Sequence, residues 1–171
     1  MTGSGTRLAI KLSKRRDGAV VLRCERADGT ATWMRYEGAK AQYLALHDLA
    51  HHAVETTLGH RRGFFGLVAE GWNISDFGTP WPRGPLPADA EPAELIVGFL
   101  DTEGASGELW SAAEFNAKAS QHFAAHGLAH PPVLDDETLA RLRLAVIGIR
   151  RQWLALPLDG SLELAFPARV S

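Results

Sequence analysis

One cysteine, Cys24, stands in 171 residues, so no internal disulfide can form and a reducing compartment suits the chain. Charge of one sign is also missing. The 18 basic and 20 acidic side chains leave a formal net charge of −2, which gives no bulk attraction to nucleic acid or to an anionic membrane. No run approaches the ~18 apolar residues of a membrane span. Residues 1–6 are rich in Gly, Ser and Thr, lack the apolar run of a secretory signal, and are expected to be flexible. There is no P-loop or dinucleotide glycine pattern, no G-x-S-x-G elbow and no internal repeat. These absences point to a soluble, cytoplasmic protein without a nucleic-acid or membrane partner.

What remains is an ordinary globular composition, 46% hydrophobic and 22% charged, enough for one core and one domain over residues 1–171. Leu8, Ile10 and Leu12 alternate as in a half-buried strand. A second strand spans 19–26, where Cys24 reads as a small core residue. Asp28-Gly29 predicts a type I′ turn, and Thr32, Met34 and Tyr36 alternate as a third strand. Helical spacing follows over Leu46–Leu58, with Gly59 as its stop. A shorter helix is predicted over Phe64–Trp72. Five prolines make 79–92 a loop, flanked by Trp72, Phe77 and Trp81, which either line a groove or anchor the loop to the core. Glu94–Leu100 is apolar and of either type. Ser111 and Glu114 have capping-box form, so a helix should run from there to about Ala125. Asp135 caps a last, long helix, and Leu162, Leu164 and Phe166 alternate as a final strand. The expected fold is α+β: an N-terminal antiparallel meander of about three strands, the C-terminal strand joining it, packed against about four helices.

All seven histidines fall in two groups, four over His47–His60 and three at His122, His126 and His130. Residues four apart on a helix lie about 6 Å apart along its axis on one face. His47 and His51 can therefore ligate one metal ion, with a third ligand from elsewhere. Glu55 continues the row but sits roughly 12 Å along the axis from His47, too far to share that ion. On the helical wheel His47 lies at the edge of the apolar stripe, and Asp48, His51 and Glu55 step away from it. Asp48 suits a helix start through the macrodipole. His126 suits a helix C-terminus for the same reason. A site joining His122 to His47 and His51 would require those helices to pack together.

The segment His47-Asp48-Leu49-Ala50-His51 resembles the H-E-x-x-H helix of zinc peptidases, with aspartate in the glutamate position. That resemblance implies His47 and His51 as zinc ligands, Asp48 as the base, and Glu70, in the next helix, as third ligand. Aspartate is shorter, which withdraws the carboxylate from a bound water by more than ~1 Å. A longer stretch, His47 to Glu55 in H-D-L-x-H-x-x-V-E form followed by Phe64-Phe65-Gly66, resembles a group of small uncharacterised bacterial proteins and implies a fold without an activity. Two readings stay open. One is a structural or partner-binding protein. The other is a divalent-metal protein, in its enzymatic form a zinc-dependent hydrolase, built on His47, His51 and Glu70. Homodimerisation through an open sheet edge is compatible with either.

Overall fold

In the computed structural model, which describes residues 6–167, the chain forms four strands and five helices. The expected flexible segment 1–6 lies almost wholly outside these residues. Strands β1 (Thr6–Lys14), β2 (Val20–Arg26) and β3 (Ala31–Tyr36) make the meander, and β4 (Ser161–Pro167) returns after all the helices to pair with β1. The antiparallel order is β3-β2-β1-β4.

Register follows from burial. Leu164, Ile10, Cys24 and Thr32 form one cross-strand row, and Leu162, Leu12, Leu22 and Met34 form the next. A one-residue slip would turn Leu8, Ile10 and Leu12 to solvent at roughly 2 kcal/mol each, far more than any alternative pairing returns. The other face carries Lys11, Arg23, Trp33 and Glu163, and Trp33 is 65% exposed. All helices therefore lie on one side of the sheet. Cys24 is buried among these strands as expected, and burial pushes its thiol up to about 12.

The β2–β3 connection departs from the type I′ expectation. Only Gly29 has a positive φ, +85°, while Asp28 keeps a negative one. Asp28 Oδ1 accepts the Thr30 N–H at 2.9 Å, and the Gly29 N–H reaches Arg26 O at 2.9 Å. This is the three-residue loop that ends in a left-handed glycine, which spares aspartate the disfavoured region.

Five helices pack on the sheet: α1 (Ala41–Leu58), α2 (Phe64–Glu70), α3 (Glu91–Ser106), α4 (Ala112–Ala125) and α5 (Asp136–Ala155). The sequence expectation of about four omitted α3. Its first residues fall in the stretch 79–92 expected as a loop, the apolar run Glu94–Leu100 was of either type, and Gly98 and Gly104 weaken the helical signal. The buried positions Ala93, Ile96, Val97 and Leu100 nevertheless keep helical spacing. The Pro-rich connection accordingly ends in a single 3-10 turn at Ala88–Ala90. Phe77 packs edge-on against Phe64, Trp72 packs against Phe77, and Arg83 covers Trp72 while pairing with Asp76 at 2.9 Å. Phe77 and Trp72 thus anchor the connection, and Trp81 remains 40% exposed.

α5 confirms its cap: Asp135 accepts the Thr138 N–H at 2.7 Å, and Leu139, Leu142, Val146, Ile149 and Trp153 are buried. α4 begins with the reciprocal Ser111–Glu114 capping box. No helix among the described residues is long and apolar enough to cross a membrane.

Candidate metal centre

α1 starts at Ala41, five residues before its expected beginning, because small Ala41 and Ala45 bury its first turns. His47 and Asp48 are therefore mid-helix, and Asp48 is not a helix-starting residue. It is buried, and one carboxylate oxygen accepts the Tyr36 hydroxyl at 2.6 Å. Burial raises its carboxyl to about 6 against the opposing pull of the Tyr36 bond and the nearby histidines. Burial, with the charge of Asp48 beside it, likewise raises the Tyr36 hydroxyl.

His51 lies deeper than the wheel implies, at 2% exposure, because α3 covers that flank of α1. Its Nδ1 lies 3.3 Å from Glu55 Oε1, and its Nε2 lies 3.4 Å from Glu94 Oε2. Burial alone would lower the imidazole. Bonds to Glu55 and Glu94, with their charges, outweigh it and raise the group to about 10. Glu94 is held below its ordinary value: burial opposes the charge, but His51 and His47 outweigh it.

His47 is half-buried, and its Nδ1 lies 2.9 Å from Asp101 Oδ2. Asp101 also pairs with Arg150, whose guanidinium donates to Leu46 O at 3.2 Å. Burial opposes ionisation of Asp101, yet His47 and Arg150 hold its carboxyl below the usual range. Each histidine thus presents Nδ1 to a carboxylate and keeps Nε2 for another partner. One ring nitrogen of His47, one of His51 and a carboxylate oxygen of Glu94 all lie within 4.8 Å of one another.

Glu55 is fully buried and belongs to the scaffold. Its Oε1 accepts the Phe65 N–H at 3.2 Å, and its Oε2 accepts the Gly66 N–H at 3.1 Å. The glycines make this wrap feasible. A Cβ on Gly63 would sit 2.3 Å from Glu55 Oε1, and one on Gly66 would sit 1.8 Å from Arg61 O. Glu55 therefore ties α1 to the start of α2 and fixes the ring of His51.

The set His47, His51 and Glu70 does not come together. Glu70 ends α2 and is paired with Arg7 at 3.3 Å and Arg62 at 3.1 Å. The carboxylate beside the histidines is Glu94, missed with the helix that carries it. Glu94 and Asp101 are seven residues apart and share one face of α3, so the signal was there once the helix was assigned. The second histidine group stays apart: His122 stacks on His126 at 4.2 Å, His126 bonds His122 O, and His47, His51 and Glu94 form the one candidate metal cluster among the described residues. His52 turns from the cluster and bonds Ala165 O of β4 at 3.0 Å.

Comparison of the chain with protein-family models, curated proteins and solved structures finds no match.

Proposed function

We propose that the protein binds one divalent transition-metal cation through Nε2 of His47, Nε2 of His51 and the Glu94 carboxylate. The observation that carries this reading is the pair of outer carboxylates. Asp101 and Glu55 each engage a histidine Nδ1, which sets the tautomer and aims the other nitrogen, the arrangement that outer-shell partners impose on metal-bound imidazoles. Bonds of about 2.0–2.1 Å in tetrahedral geometry place ligand atoms roughly 3.4 Å apart. His51 Nε2 and Glu94 Oε2 stand at 3.4 Å already. The half-exposed side chains of His47 and Glu94 supply the remaining adjustment.

Two imidazoles and one carboxylate suit zinc, or ferrous iron in a facial triad. Three protein ligands leave a position for water, which a bound zinc would activate toward hydrolysis. Asp48 is read as a packing carboxyl held by Tyr36, not as the base. A second reading rests on the same contacts: a protonated His51 bridging Glu55 and Glu94 pins α1 to α3 without any ion, and the protein serves structure or partner binding.

Metal analysis and calorimetric titration with zinc, on protein made without an affinity tag, separate the two. The metal reading expects one equivalent bound, a higher melting temperature, weakened binding in Glu94→Gln and unchanged binding in Glu70→Gln. No stoichiometric metal and no thermal shift with zinc, iron or manganese would leave the structural pin.

A further inference from the structure

α5 carries two stripes. Leu139, Leu142, Val146, Ile149 and Trp153 face the core. Nearly opposite them, Glu137, Ala140, Leu144, Ile147, Arg151 and Leu154 repeat in the same alternation of three and four residues, and all six are exposed. A helix on the outside of a domain normally carries polar residues there. Here Leu144 is 70% exposed, Ile147 47% and Leu154 63%. Leu109, 67% exposed, extends the patch beside Ile147, and the two help line a shallow 110 Å³ depression.

The charges on the stripe choose the occupant. Glu137 stands at one end and Arg151 one step inside the other, and neither has an ion-pair partner among the described residues. In a parallel pair of α5 helices each would meet its own copy, which is repulsive. In an antiparallel pair Leu144 faces the partner's Ile147, and Arg151 crosses the partner's Ala140 to reach the partner's Glu137. Small Ala140 leaves room for that crossing, and the helix dipoles also favour it. A two-fold contact needs such self-complementarity.

We infer that the outer face of α5 is a self-association surface, on which a second copy of the chain packs its own α5 antiparallel. The face is separate from the histidine cluster and does not depend on metal.

The test is sedimentation velocity of the full chain over roughly 1–300 µM, the range of modest interfaces. The wild type is expected to dimerise. Leu144→Glu should remain monomeric throughout. Arg151→Glu and Glu137→Arg should each weaken the dimer by about tenfold or more, and the double exchange should restore it to within about threefold of wild type. All three positions are exposed, so circular dichroism should show unchanged folding. A monomeric wild type would overturn the inference. So would a dimer indifferent to Leu144→Glu, or single charge reversals that the double exchange fails to rescue.

Discussion

Replacing Glu55 by glutamine removes one formal charge and almost no volume, yet the contacts predict a large loss of stability. Both carboxylate oxygens face N–H donors: Oε1 meets Phe65 N–H at 3.2 Å and His51 Nδ1 at 3.3 Å, and Oε2 meets Gly66 N–H at 3.1 Å. In either orientation the amide group of glutamine points its own N–H bonds at one of these donors. The cheaper orientation leaves the Gly66 N–H and the new amide N–H without acceptors, and the site is fully buried. Each unsatisfied buried neutral group, at about 1–2 kcal/mol in the lower part of the usual range, adds to an expected loss of about 2–4 kcal/mol for the two. For a chain of this size that lowers the melting temperature by about 5–15 °C. The total stability of a domain, about 5–15 kcal/mol, absorbs such a loss, so the variant should fold and be measurable. Urea denaturation of chelator-treated protein, followed by far-ultraviolet circular dichroism, gives the number. A Glu55→Gln variant within about 0.5 kcal/mol of wild type would refute the assignment of Glu55 as the tie between α1 and α2.

Gly63→Ala should cost at least as much, about 3 kcal/mol or more, because its Cβ would displace the Glu55 carboxylate, 2.3 Å away. Gly78→Ala, where a Cβ meets nothing within 4 Å, is the control and should leave the melting temperature nearly unchanged. Asp48 should make stability depend on pH. Its folded value of about 6 exceeds the ordinary 3.8, so its favourable contribution is complete below pH 3.8 and is lost as pH rises through 6. The difference, roughly two pH units, is worth about 3 kcal/mol. Chelator-treated wild type should therefore lose stability relative to Asp48→Asn between pH 4 and 7, and a gap between them that does not vary with pH would contradict this account. Under the metal hypothesis, which rests on the carboxylate behind each histidine, Asp101→Asn should weaken zinc binding about 10–100-fold by calorimetry. Binding equal to wild type would remove Asp101 from any supporting role.

Much of the fold was legible in the residues. Alternation at Leu8, Ile10 and Leu12 and at Thr32, Met34 and Tyr36 marked strands because a half-buried strand has period two. The capping box at Ser111 and Glu114 and the aspartate at 135 marked helix starts through local hydrogen bonds. α3 escaped because Pro92 belongs to a loop-like stretch and the short apolar run Glu94–Leu100, with Gly98 inside it, fits either helix or strand; the packing of Ile96, Val97 and Leu100 into the core decides for the helix.

His47 and His51 are four residues apart, and helix geometry alone places them on one face. Their partners answer to a different cause. Glu94 and Asp101 reach the histidines because α3 lies against α1, and that packing is set by long-range apolar burial. The same packing buries His51, which an isolated helical wheel turns toward solvent. Glu70 was a reasonable choice by distance along the chain, but Arg7 and Arg62 are nearer to it in space. Local periodicity thus determined the strands, most of the helices and the histidine pair. Which carboxylates meet that pair was decided only when the helices packed, because a contact between elements depends on how whole faces are buried and not on the spacing within either one.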